Sequence, residues 1–211
     1  MEMAIDSVLL EAWVAGRSLA RGLPQPVPDR GGWRVDTNSA VEVCRWIFPR
    51  TSPGLVELAQ EVSRPGYLLK VCGFADDLRA ALPQGWQVEP TGYFMMARGG
   101  WDSAAVPADY RLEVEHIAAV TQVQIRAPNG DLAASGYAAE TAEAFVYDRI
   151  VTAPGHRRKG LGRALMTALR VTSRNPELPG LLVATEDGRA LYLTLGWQTL
   201  SSYSTASVPI A

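Results

Sequence analysis

Apolar and polar residues alternate along this chain with two different periods. Ile5, Leu9, Trp13 and the small Gly16 fall on one helical face, followed by Leu19 and Ala20, and predict a first helix. "PQPVP" at Pro24–Pro28 stops it and reads as an extended connector. "GWRVDT" reads as a short strand, and "PGLVELAQEV" returns to helical spacing through Leu55, Leu58, Ala59 and Val62. "GYLLKVCG" is a buried strand, "ADDLRAALP" a helix and "GWQVEPTGYFMMA" strand structure. The second half is cleaner. "DYRLEVEH" is a strand, and "AAVTQVQIRAPNGDLAASGYAA" is two strands around the turn-forming pair Asn129-Gly130. "EAFVYDRIVTA" is another strand. A glycine-rich junction follows, then a helix to about Arg174, a strand "GLLVAT", a helix "DGRALYLTL" and a last strand region "GWQTLSSYST".

Two of these stretches share a plan. "GYLLKVCGFADDLRAALPQGWQV" and "GLLVATEDGRALYLTLGWQTL" each run Gly, buried strand, Asp, short Leu/Ala helix, Gly-Trp-Gln. This reads as a tandem repeat of one α/β unit, against the alternative that strand–helix–strand units resemble one another by chance. The implied division is 1–105, a cap or degenerate half, and 106–211, the half that carries the chemistry. The first copy has no counterpart to "GHRRKGLG".

Composition narrows the function classes. The 211 residues suffice to bury a real core, and 47% of them are hydrophobic against 20% charged. The net charge of -2 argues against nucleic acid as the main partner, which ordinarily rests on a basic surface. Cys44 and Cys72 are the only cysteines and His116 and His156 the only histidines, so neither a disulfide framework nor a metal site is expected. The opening residues lack a basic start, and Glu11 interrupts their apolar run, which is unlike a secretion signal. No apolar stretch is long enough to span a bilayer. The expectation is a cytosolic protein, monomeric or homodimeric, without a membrane partner.

The junction "RIVTAPGHRRKGLGRALMTAL" (Arg149–Leu169) carries the candidate chemistry. Its helix sends Leu161, Leu165 and Leu169 to the core with Ala164 and Ala168 beside them. The first turn of a helix has amides without intrahelical partners and the positive end of the helix dipole. Gly160 and Gly162 let an anion approach that backbone, and Arg158, Lys159 and Arg163 add positive charge. Phosphate is the usual occupant of such a site. The pattern GxxxxGK[ST] is absent, and GxGxxG is only half met, with Leu165 in place of the third glycine.

Arg157-Arg158-Lys159-Gly160-Leu161-Gly162 matches [Q/R]xxGx[G/A], and Leu191-Tyr192 followed by Leu195-Gly196-Trp197 lies downstream. Together they resemble the pyrophosphate loop and late signature of the GNAT superfamily of acyl-CoA-dependent N-acyltransferases, over about Val120 to Trp197. The resemblance implies an α/β (α+β) fold with a mixed, mostly antiparallel sheet flanked by helices. It implies acetyl-CoA as cosubstrate and no metal. The strand Ile150–Thr152 would splay from Leu181–Thr185, and the main chain of Ile150, Val151 and Thr152 would pair with the pantetheine arm. Arg157, Arg158, Lys159, Gly160, Leu161, Gly162 and Arg163 would cradle the pyrophosphate. Tyr192 matches the tyrosine placed near the thioester sulfur.

The implied activity is transfer of an acetyl group to a primary amine of a small metabolite or amino acid, by direct attack. Tyr192 would protonate the leaving thiolate, and a backbone N–H at Ile150–Thr152 would receive the oxyanion. Packing beside leucines is the other reading of Tyr192. Asp148, two residues before Ile150 and so on its face of a regular strand, would accept the amine's proton or fix a water; a solvated carboxylate is the alternative. Glu113, Glu115 and His116 form a further titratable group that a surface strand explains equally well. His156 reads as an exposed turn residue near phosphate, and Trp33, Trp46, Trp86 and Trp101 as core anchors. One departure stands out: "DYRLEVEHIAAVTQVQI" leaves no room for the two helices that the family places after its first strand. Either the first half supplies that wall, or the acceptor site is unusual. Two readings from other classes remain. One is a non-catalytic acyl-CoA sensor. The other is a nucleotide-binding module, in which ATP or NAD would compete with coenzyme A.

Overall fold

In a computed structural model, residues 5–99 and 103–209 are described. The elements in chain order are α1 (Ser7–Ala20), β1 (Val27–Asp29), β2 (Gly32–Asp36), β3 (Cys44–Phe48), α2 (Pro53–Glu61), β4 (Tyr67–Cys72), α3 (Ala75–Ala81), β5 (Gln87–Val88) and β6 (Gly92–Ala97). They continue with β7 (Arg111–Ile117), β8 (Val120–Arg126), β9 (Leu132–Glu140), β10 (Phe145–Thr152), α4 (Leu161–Arg170), β11 (Gly180–Ala184), α5 (Glu186–Thr194) and β12 (Gln198–Ser207). A 3₁₀ turn at Pro154–His156 precedes α4. The strands form one sheet in the order β1-β2-β3-β4-β12-β6-β11-β10-β9-β8-β7, with β5 also on β12. Among the described residues, only β3–β4 and β10–β11 are parallel pairs. The mixed, mostly antiparallel α/β architecture is the one expected.

Each parallel pair brackets a helix, and a shorter helix and an antiparallel strand follow it. The final strands are exchanged between the two units. β6, from the first half, pairs with β11; β12, from the second, pairs with β4; and β6 and β12 pair with each other. The exchange is symmetric in register. Gln198, just after Gly196-Trp197, faces Met96, and Gln87, just after Gly85-Trp86, faces Ser207. Each half therefore completes the other's sheet.

Alternation along the strands separates the two faces. Leu69 and Val71 of β4 join α2 and α3 in one apolar cluster. Met95 of β6 joins α4 and α5 in a second. Cys72 and Phe94 point the other way, into a third cluster beneath α1. Asp6 caps α1 through a 2.9 Å bond from the Val8 amide. A Cβ on Gly16 would lie 2.5 Å from Val146 Cγ2, so this glycine is what lets α1 lie directly on β10.

Several boundaries differ from the sequence reading. The connector "PQPVP" ends in strand β1, which pairs with β2 across Arg30-Gly31, both at positive φ. β3 has no counterpart in the reading; all five of its residues are buried, so it shows no alternation. α4 ends at Arg170, not Arg174, because Thr172 Oγ1 turns back onto the Leu169 carbonyl at 2.7 Å and Pro176 lies just beyond. In α1, Leu10 and Val14 are fully or nearly fully buried, whereas Leu9, on the face that the helical spacing predicts, is half-buried. Trp33 and Trp46 are buried and Trp86 is half-buried, with its indole donating to Ala59 O; Trp101 lies outside the described residues.

The exchanged strands predict that residues 106–211 expressed alone will not melt cooperatively, because β11 would lose its β6 neighbour along five residue pairs. The whole chain should melt in one transition. Circular dichroism melts of both proteins check this; a cooperative transition in the isolated half would contradict it.

Candidate active site

β10 is zipped to β9 for most of its length, but to β11 only at Phe145↔Gly180 and Val146↔Leu181. Beyond Val146 the parallel strands diverge, as expected for Ile150–Thr152 and Leu181–Thr185. The first-half counterpart does not open: β3 and β4 pair at five consecutive positions, Cys44–Phe48 against Tyr67–Val71. A register shift between Asp148 and Val151, with Arg149 at φ 52°, marks a bulge. It corrects one inference. Asp148 does not share a face with Ile150: Ile150 packs into the α4 cluster, whereas Asp148 and Arg149 both turn toward α1.

The loop after β10 is arranged around the first turn of α4. Gly160 is its N-cap at φ 77° with open space beside it, and no side chain caps the helix. The amides at the start of α4 therefore lack a side-chain partner within the helix. Gly162 also faces a close neighbour. A Cβ there would lie 2.8 Å from Leu191 Cδ2, where α4 meets α5. Arg157, Arg158 and Lys159 are exposed around the turn. Arg163 reaches the Thr194 carbonyl at 3.4 Å, and Lys159 Nζ lies 3.3 Å from the Tyr110 hydroxyl. His156 is half-buried, not exposed, and its Nδ1 is 3.0 Å from the same hydroxyl. At the equivalent place in the first half, Ser52 caps α2 through the Leu55 amide and Pro53 removes a donor. That helix start is closed to an anion.

The divergence of β10 and β11 opens a cavity of about 480 Å³. Tyr147, Leu182, Ala184 and Tyr192 line it from the α4 side, and Trp13, Val183 and Tyr203 from the α1 side, so it runs through the sheet. Such a passage lets two molecules meet from opposite faces. The β7–β8 hairpin turns through Ala118-Ala119, which confirms that no helices intervene there. The wall comes from the first half, through Trp13, Arg17 and Arg21 of α1 and Lys70 of β4.

Tyr192 is 6% exposed, and burial pushes its phenol well above the ordinary tyrosine range, so it stays protonated at neutral pH. Its ring lies 5.7 Å from Trp197. Asp148 is 8% exposed and its oxygens are taken. Arg21 donates to both, at 2.7 and 3.0 Å, and Arg17 and Arg149 approach at 3.7 and 3.3 Å. Arg149 also donates to Ala20 O and lies 3.6 Å over the Tyr137 ring. Glu113, Glu115 and His116 are elsewhere, on the edge strand β7; Glu113 pairs with Arg126 at 2.9 Å and His116 with Thr121 at 3.0 Å. They take no part in this cavity.

Three cavity residues escape a reading by motif. Lys70 donates to Thr205 Oγ1 at 3.2 Å; burial and the neighbouring Arg17 lower its ammonium to about 8. Arg17 is lowered too, by burial and by Arg21. Tyr203, 5% exposed, has a buried hydroxyl without a hydrogen-bond partner among the described residues. Such an orphan costs about 1–3 kcal/mol. The available signals were a lone lysine in the apolar run "YLLKVC" and the i, i+4 pair Arg17/Arg21 at the end of the first helix.

Lys70 should make stability depend on pH. Unfolded, it holds its proton to about 10.4; folded, it gives it up near 8. Between these values the unfolded chain binds more protons, so this group's contribution to stability rises with pH. Lys70→Met should therefore raise Tm at pH 7, with the gain shrinking from pH 8 to 10 while Arg17, Arg21, Glu42 and Glu89 around it are unchanged. Thermal melts across that range check it; a gain constant with pH would contradict it.

Comparison with known proteins agrees with this geometry. Residues 116–199 match the family model of the acetyltransferase (GNAT) domain. The chain is similar to a GCN5-related N-acetyltransferase from Kribbella flavida, at TM-score 0.67 and 14% identity over 100% of this chain and 97% of that one. It is similar to a GCN5-related N-acetyltransferase-like protein from Streptococcus suis, at TM-score 0.57 and 12% identity over 85% and 84%. A tandem GNAT protein from the clavulanic acid biosynthesis pathway aligns at TM-score 0.53 and 18% identity over 85% and 79%. A search of curated proteins gives no match. At these identities the structural likeness is one of fold, and the sequence match falls on the half that holds the open strand pair and the uncapped helix. Residues 116–199 thus match an acetyltransferase (GNAT) domain, and the chain as a whole shares its fold with GNAT proteins.

Proposed function

We propose that this protein transfers the acetyl group of acetyl-CoA to the primary amine of a small metabolite or amino acid. The observation that carries the reading is the joining of two features. An uncapped helix start, ringed by Arg157, Arg158, Lys159 and Arg163, lies at one end of a strand, β10, whose β11-facing edge is open from Tyr147 onward. The amides of Leu161, Gly162 and Arg163, with the αL turn at Gly160, would hold the diphosphate. The unpaired main chain of Ile150, Val151 and Thr152 would hold the pantetheine arm as an added strand does. That fit brings a thioester into the through-sheet cavity, where Tyr192 lies on the α4 side.

Within that cavity the acceptor amine attacks the thioester carbonyl as the neutral base. A β10 amide beyond the bulge donates to the oxyanion, and the carbon–sulfur bond then breaks. Tyr192 passes its proton to the departing thiolate, and the phenolate so formed takes the proton that the attacking nitrogen must lose, which restores the phenol; the buried phenol remains protonated at neutral pH and so is available as a donor. Asp148 is reassigned. Arg21 donates to both of its oxygens, with Arg17 and Arg149 close by, and in this reading the carboxylate is a positioning residue that holds α1 and β10 together. The half 1–105 supplies one wall of the acceptor site and no second coenzyme site.

Thiol release from acetyl-CoA against a panel of amines and amino acids tests the proposal. Turnover with at least one acceptor is expected. Silence across the panel with coenzyme A still bound would favour the sensor reading, and competition by ATP or NAD would favour a nucleotide-binding module. Tyr192→Phe should lower kcat by about 10-fold or more with coenzyme A affinity unchanged; unchanged kcat would remove its proton-donor role. Gly160→Val, which forces a β-branched residue to φ 77°, should weaken coenzyme A binding by calorimetry.

A further inference from the structure

We propose that the acceptor is an amino carboxylate, its carboxylate held on the α1 side of the cavity by Lys70, Arg17 and the hydroxyl of Tyr203. The proposal rests on the acetyltransferase reading above and names the class of substrate that this site takes.

The cavity wall is unbalanced in charge. Arg17, Arg21, Lys70 and Arg149 line it, against Asp148 and Glu186. Asp148 is taken by Arg21. Glu186 is largely exposed and tied to Tyr93 and Arg189. Lys70 has no carboxylate within 4 Å among the described residues; its single bond is to a neutral hydroxyl, leaving donors of its ammonium unused. Of the carboxylates farther off, Glu42 is committed to Arg45 and Glu89 is exposed. A half-buried cation with no carboxylate in contact is costly to keep unless something comes to meet it.

A second observation is independent of charge. The Tyr203 hydroxyl is buried in the cavity wall and lacks a partner among the described residues. Register puts it beside the lysine: Lys70 faces Thr205 and Cys72 faces Tyr203, so Lys70 and Tyr203 stand near each other on one face of the β4–β12 pair. A phenol O–H and an ammonium lining one wall are a matched donor set for a carboxylate, whose oxygens only accept. The same wall repels a polyamine or a lysine-rich peptide, because both would bring further positive charge to it. The cavity's volume, shared with the end of the thioester arm, limits the acceptor to a small molecule.

The test measures kcat/KM by thiol release for a panel of L-α-amino acids, each beside its carboxamide, with spermidine and O-phosphoethanolamine as further arms. At least one acid should exceed its amide by roughly 10- to 100-fold, with spermidine poorer still. Tyr203→Phe should shrink that ratio toward one while Tm is unchanged or higher, because the substitution removes an unpaired buried hydroxyl. Lys70→Met should shrink it further, and Lys70→Arg should restore part of it. Calorimetry of the N-acetyl amino acids and their N-acetyl amides with coenzyme A present reads the same preference without turnover. Absence of thiol release with any amine would therefore defeat the enzyme reading, and absence of acid preference in calorimetry would defeat this one. Equal binding of acids and amides, or a preference for spermidine or for O-phosphoethanolamine, overturns the proposal.

Discussion

The parting of β10 from β11 after two residue pairs is the constraint on which the rest of the structure depends. A parallel pair that stays zipped has every edge group satisfied and no space between its strands, which is the state of β3 and β4. Once the pair opens, main-chain donors and acceptors along one edge lose their partners, and the sheet acquires a passage from face to face. Three features keep it open. The bulge at Arg149 and Ile150 bends β10 away. Gly16 lets α1 press on Val146 at the last zipped position. Arg21 ties α1 to Asp148 on the strand just past the point of divergence.

The two halves divide the work through that opening. The second half supplies the uncapped helix start and Tyr192; the first supplies α1 and Lys70, in place of the helices missing between β7 and β8. The exchange of β6 and β12 makes the division possible, because it seats β4 next to the strand that carries Tyr203 and Thr205. The first half, with α2 capped by Ser52 and β3 zipped to β4, lines one side of the cavity through α1 and Lys70.

Local chemistry was legible in the sequence where one short stretch encodes it. "RRKGLG" before an amphipathic helix announces the loop, and Asn129-Gly130 announces its hairpin, because both are matters of backbone conformation within a few residues. The plan shared by the two "GWQ" stretches was visible as well, but not the exchange of their final strands, which is a choice of distant partners. The bulge was hidden: nothing in "VYDRIV" shows that Arg149 takes a positive φ, and so the faces of Asp148 and Ile150 came out wrong. The cluster of Arg17, Arg21, Asp148, Lys70 and Tyr203 is assembled from α1, β10, β4 and β12, and no spacing rule joins such positions.

The most direct test is a crystal structure of the protein with coenzyme A. The account predicts the diphosphate at the amides of Leu161–Arg163 and the pantetheine arm alongside Ile150–Thr152, with its sulfur entering the opening toward Tyr192. Coenzyme A bound at the start of α2, or a β10–β11 pair closed along its length in the complex, would contradict it.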